Sequence, residues 1–146
     1  MSLPFEAARR RVLVVDDEPS VLELITTRLG IAGYETFYAR DGYEAVARLS
    51  ELRPAALILD INMPRLDGFG VLRQMKQTDA ASRIATMVLT ARNQPDDVRQ
   101  AILLGARDFL AKPFNDQQLL SRVARLFLPP RPARRPTPSD TNEVLL

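Results

Sequence analysis

A chain of 146 residues, 46% hydrophobic and 26% charged, has the composition of one ordinary globular domain with little left over. It has no cysteine and no histidine, which excludes disulfides, thiolate metal sites, histidine ligands and a role as histidine phosphodonor; no apolar run reaches the roughly 18–20 residues that span a bilayer. The net charge of +2 comes from the flanks, Arg9, Arg10 and Arg11 at one end and Arg131, Arg134 and Arg135 at the other. The middle is nearly neutral, which argues against a nucleic-acid surface.

Residues 1–10 read as a leader without a signal-peptide pattern. Val12, Leu13, Val14 and Val15 form a short buried strand ending at Asp16-Asp17-Glu18-Pro19. Pro19 suits the first turn of a helix, where its missing N–H costs nothing. That helix carries Val21, Leu22, Ile25, Leu29 and Ala32 on one face and stops at Gly33. A second strand covers 34–39, and Asp41-Gly42 turns into a helix over 43–53 with Ala45, Val46 and Leu49 inward, ended by Pro54. The run 55–60 is apolar until Asp60 and reads as a fully buried strand. Breakers follow at Asn62, Pro64 and Asp67-Gly68, and a third helix is expected over about 67–78 with Phe69, Leu72 and Met75 inward.

A fourth strand runs over 84–90. Asp96 and Asp97 open a fourth helix at its positive end, with Val98, Ala101 and Ile102 inward and Gly105 as the stop. Residues 107–112 form a fifth strand, broken by Pro113, and Asn115 caps a last helix holding Leu119, Val123, Leu126 and Phe127. Five strand–helix units in regular alternation predict an α/β fold with a parallel sheet and helices on both faces. From Pro129 the composition turns to proline and arginine, so 11–128 is the expected domain and 129–146 an extended linker or tail.

Four strand ends carry polar groups: Asp16-Asp17, Asp60, Thr90 and Lys112-Pro113. Each alone has an ordinary reading as a turn, cap or solvated loop. In a parallel sheet all four reach one edge, where ligands of open α/β sheets bind. Clustered carboxylates need a cation, and a site offering only oxygen ligands suits a hard ion such as Mg²⁺ with a phosphate oxygen. A lysine supplies a point charge for that phosphate, a threonine a hydroxyl donor, and a carboxylate can be the nucleophile that becomes an aspartyl phosphate.

The segments Val14-Val15-Asp16-Asp17-Glu18, Asp60-Ile61-Asn62-Met63-Pro64-Arg65-Leu66-Asp67-Gly68, Thr90-Ala91 and Lys112-Pro113-Phe114 together resemble the chemotaxis-regulator-like receiver domain of two-component response regulators, over about residues 11–128. The resemblance implies a flavodoxin-like, doubly wound (βα)5 fold with strand order 2-1-3-4-5. It implies that Asp60 accepts a phosphoryl group from a sensor histidine kinase or a phosphotransfer protein. The chain would catalyse its own phosphorylation and dephosphorylation rather than turn over a separate substrate. Mg²⁺ would be held by Asp17, Asp60 and the Asn62 backbone carbonyl, with Asp16 acting through water. Thr90 and Lys112 would contact the phosphoryl oxygens, Ala91 would leave them room, and Pro64 and Gly68 would shape the loop after Asp60. Thr90 and Phe109 would form the switch; phenylalanine keeps the bulk of the tyrosine common there but lacks its hydroxyl. Arg92 and Asn62 occupy positions that tune dephosphorylation.

The expected output is a changed surface on the fourth helix, fifth strand and last helix, controlling a partner, a homodimer or a separate output domain. Arg99, Leu103, Leu104, Arg107 and Arg122 are candidate residues of that surface. A cytoplasmic location is expected, with no membrane contact and no direct nucleic-acid binding by this chain. Two other functional classes compete with this one. Haloacid-dehalogenase-like phosphatases also form an aspartyl phosphate, but their first two aspartates are separated by one residue and here they are adjacent. A binding module that keeps only the fold would not need the full polar set.

Overall fold

The structure is a computed structural model that describes residues 10–92 and 94–129. The leader and tail expectations for 1–9 and 130–146 lie outside the described residues. Five strands, β1 (Arg11–Val15), β2 (Glu35–Ala39), β3 (Ala56–Asp60), β4 (Ala85–Ala91) and β5 (Asp108–Lys112), alternate with five helices, α1 (Pro19–Ile31), α2 (Gly42–Leu52), α3 (Gly68–Met75), α4 (Pro95–Leu103) and α5 (Asp116–Leu126). All strand pairs are parallel, in the order β2-β1-β3-β4-β5, as expected for a (βα)5 doubly wound sheet.

Two apolar layers follow from the strand period of two. Leu13, Val15, Leu57, Leu59 and Val88 point to one side and meet Ala45, Leu49, Val71, Leu72 and Ala101 of α2, α3 and α4. Val12, Val14, Ile58, Met87 and Leu89 point to the other and meet Leu22, Ile25, Leu29, Leu119 and Val123 of α1 and α5. The central strand β3 is buried at every residue because helices cover both of its faces.

Helix boundaries follow local chemistry. Pro19 opens α1, Asp41 caps α2 by accepting from the Glu44 N–H, and Asp67 caps α3 by accepting from the Gly70 N–H. Asn115 and Gln118 form a reciprocal capping box at α5. Gly33 and Gly105 sit at φ +100° and +109°, which explains why they end α1 and α4.

Three sequence expectations need correction. The third helix stops at Met75 rather than about residue 78. Thr78 instead caps a separate single turn, Asp79–Ser82, by accepting from the Ala81 N–H. Ala32 is exposed because it is the cap of α1, beyond the last turn that packs. Ile102, expected to face in, is 44% exposed, since only Ala101 of α4 is fully buried on the sheet.

Candidate functional site

Parallel register brings the polar strand ends to one edge. Val15 pairs with both Ala39 and Leu59, so Asp16 leaves β1 beside Asp60 at the end of β3. Asp60 pairs with Leu89, and Ala91 pairs with Lys112, so Thr90 and Lys112 arrive at the same level from β4 and β5. Carboxylate oxygens of Asp16, Asp17 and Asp60 all lie within 4.8 Å of one another. Asp16 is fully buried, Asp60 is 4% exposed and Asp17 is open to solvent.

The charges are unequal. Lys112 Nζ donates to Asp16 Oδ2 at 2.8 Å and stands 3.5 Å from Asp60 Oδ2. Among the described residues, one ammonium thus pairs with two of the three clustered carboxylates. Asp16 Oδ1 also accepts from the Glu18 N–H at 2.9 Å, and Asp60 Oδ1 accepts from the Asn62 N–H at 3.1 Å. Burial pushes the Asp60 carboxyl up to about 7, and the neighbouring charge of Asp16, with that of Asp17, pushes the same way. Lys112 and the Asn62 N–H pull it down without restoring the ordinary value. Burial works against the Lys112 ammonium, but its bond to Asp16 and the charges of Asp60, Asp16 and Glu18 outweigh that and hold it above its usual value.

The loop after Asp60 is built tightly against the strand end. The Gly68 N–H donates to the Ile61 carbonyl at 2.9 Å. A Cβ on Gly68 would stand 2.6 Å from the Asp60 carbonyl oxygen and 2.7 Å from Ile61 Cα, so a glycine is required where α3 starts. Arg65 adopts φ +67°, and its Nη2 reaches Asp41 Oδ2 at 3.0 Å, tying this loop to the start of α2. Beside the acids lies an open concavity of about 480 Å³, lined by Glu18, Val21, Leu24, Asp60, Asn62, Ala91, Lys112, Pro113 and Phe114. The Lys112–Pro113 peptide is cis.

The expected residues therefore assemble in two groups. Asp16, Asp17, Asp60 and Lys112 meet directly, and the Asn62 backbone joins them through its N–H. Thr90 is buried next to Leu89, while Ala91 is exposed at the mouth. Phe109 stands apart: it is three residues back along β5, paired with Val88, half-buried against the layer of α2, α3 and α4. The sequence reading assigned no role of its own to Glu18, although its position next to the paired aspartates was a usable signal. It also missed the Asp41–Arg65 pair and the buried Asp108, whose partners lie 24 and 14 residues away with no local pattern to reveal them.

The donor set fits a hard divalent cation. Among the described residues, three clustered carboxylates answered by one lysine leave uncompensated negative charge, and the ligands are all oxygen.

Comparisons with known proteins agree with this geometry. The family described as response regulator receiver domain matches residues 12–124. The chain is similar to response regulator MprA of Mycobacterium bovis, at 40% identity over 92% of this chain and 55% of that protein. It is also similar to the DNA-binding dual master transcriptional regulator RpaA of Synechocystis sp., at 34% identity over the same shares. It thus spans about half the length of the curated relatives it matches. Among solved structures, chemotaxis protein CheY4 of Vibrio cholerae superposes with TM-score 0.76 at 33% identity, covering 80% of this chain and 97% of that one. The signal receiver domain of a signal transduction histidine kinase from Syntrophus aciditrophicus does so with TM-score 0.73 at 38% identity, covering 80% and 89%. With the matched fold, the acid cluster and the lysine all on one sheet edge, the chain belongs to the response regulator receiver domains of two-component signalling systems.

Proposed function

We propose that Asp60 is a phosphoacceptor that takes its phosphoryl group from a phosphohistidine on a sensor histidine kinase or phosphotransfer protein. The observation that carries this reading is the nine-tenths-buried Asp60 carboxylate, set among Asp16 and Asp17 with a single ammonium 3.5 Å away. An Asp60 oxygen attacks phosphorus, the P–N bond to the donor imidazole breaks, and the departing imidazole takes up a proton. The concavity beside Asp60 leaves the attacking oxygen accessible.

Asp17, Asp60 and the Asn62 carbonyl would hold Mg²⁺, with Asp16 through water; the ion supplies charge neutralisation for the carboxylates and the incoming phosphoryl oxygens. Lys112 holds Asp16 in place and offers its remaining donors to the phosphoryl group. Thr90 donates to the same group and Ala91 leaves its approach open. Phosphorylation changes the local charge from about −1 to about −2. Thr90 is drawn in, Phe109 follows into the vacated space, and the α4-β5-α5 surface changes. Leu103, 80% exposed on α4, and Ile102 give that surface an apolar patch suited to a partner or a second copy.

The domain boundaries 11–128 belong to this reading, as does the cytoplasmic setting in which such a kinase would present its phosphohistidine. No helix among the described residues is long and apolar enough to cross a membrane. Incubating the chain with acetyl phosphate and reading the intact mass tests the reading. One phosphate should add only when Mg²⁺ is present, and none in Asp60→Asn. An adduct that survives Asp60→Asn would remove Asp60 from this role.

A further inference from the structure

Phe109 is covered by a residue of another element. Arg122 reaches from α5 around β5, which is an edge strand with one row of backbone groups facing away from the sheet. Its Nη1 donates to Asp108 Oδ1 at 2.8 Å and to the Phe109 carbonyl at 3.0 Å. Its guanidinium carbon stands 5.5 Å from the centroid of the Phe109 ring. Side chains alternate along β5, so Asp108 shares the α5 side with Leu110 while Phe109 faces the other layer. One planar fork therefore grips both sides of the strand.

We propose that Arg122 is a positioning residue that holds Phe109 in its resting place and carries its displacement to α5. This rests on the phosphoacceptor and switch reading above. The arrangement separates a fixed anchor from a breakable one. Asp108 is secured independently, by the Phe109 N–H at 2.8 Å and by Arg125 Nη2 at 3.5 Å. If the Phe109 ring swings inward, Asp108 keeps partners and the bond to the Phe109 carbonyl can persist. What is lost is the contact between ring and cation. That contact is weak enough to break reversibly, and it biases the resting position by about two- to fivefold. Arg122, still held at Asp108, then has its guanidinium face uncovered beside α5, which couples the sheet edge to the outer surface.

The test uses the full chain carrying 4-fluorophenylalanine at its six phenylalanines, with the Phe109 resonance identified by Phe109→Leu. Fluorine spectra are taken with and without Mg²⁺ and beryllofluoride, alongside the acetyl phosphate rate. In the unsubstituted chain the Phe109 resonance should move when beryllofluoride is added. In Arg122→Lys, which keeps a charge for Asp108 but cannot both bridge and stack, the resting resonance should already lie part-way to that position. Phosphorylation should be about two- to fivefold faster, and Arg122→Gln should act in the same direction. A purely structural role would lower the melting temperature without moving Phe109 toward its loaded position. Unchanged resting resonances and rates in both variants would overturn the proposal. A Phe109 resonance indifferent to beryllofluoride, in a chain whose Asp60 still forms its adduct, would overturn Phe109 switching and this role of Arg122 with it, while leaving the phosphoacceptor standing.

Discussion

Two buried aspartates with opposite charge balance lie in this sheet. Asp60, at the carboxyl end of β3, shares one lysine with Asp16 and is pushed up to about 7 by burial and by the charges of Asp16 and Asp17. Asp108, at the start of β5, is 9% exposed and has two arginines and a backbone N–H to itself. Burial alone does not mark a functional carboxylate. The difference lies in what surrounds it: Asp108 is neutralised by the arginines beside it, whereas Asp60 is left short of positive charge, a deficit that suits a cation.

The comparison can be broken most severely at Lys112. Lys112→Met removes the ammonium that pairs with Asp16 and Asp60. Phosphorylation by acetyl phosphate should fall by about a hundredfold or more. Without Mg²⁺, urea unfolding at pH 8 should show a loss of about 2–3 kcal/mol. A variant that phosphorylates at the normal rate would show that the lysine is only a structural partner of Asp16.

A second test varies pH. Asp60 binds its proton more tightly in the folded chain than in the unfolded one, because its value rises from 3.8 to about 7. Its contribution to stability is therefore greatest below about pH 4, is lost as pH rises through about 7, and is level above that. Metal-free unfolding free energy should fall across this window by up to a few kcal/mol, and Asp60→Asn should flatten the profile. Mg²⁺ competes with the proton, so it should raise the melting temperature clearly at pH 8 and little at pH 5. A metal response equal at both pH values would break the link between the charge deficit and the ion.

The smallest effect is expected at the balanced site. Asp108→Asn keeps an acceptor for Arg122 but gives up the charge, and should cost about 1–2 kcal/mol in urea unfolding. The Mg²⁺ response of the melting temperature should be unchanged, because Asp108 lies at the opposite end of its strand from Lys112. A changed response would mean that the two aspartates are coupled through β5.

Much of this was legible before the structure. The apolar runs, their stops at Asp16, Asp60 and Lys112, and the alternation with helical periods carried the strand–helix order, since a buried strand must be apolar and its end must turn. The helix cap at Asn115 follows from a side chain that satisfies a nearby N–H group, and such chemistry is local. The orientation of Ile102 and the end of α3 were not legible, because each depends on where the helix lands on the sheet.

The sequence by itself therefore determined which residue types stand at the strand ends, and with them the family. Tertiary structure decided how they balance. Only parallel register brings Lys112 within 2.8 Å of Asp16, 96 residues away, and leaves it 3.5 Å from Asp60. Only packing at the sheet edge gives Asp108 two arginines and sets Arg122 over Phe109. The physical reason is range: caps, turns and periodicity act over a few residues of chain. Desolvation and charge pairing act across space between segments that the sequence does not align.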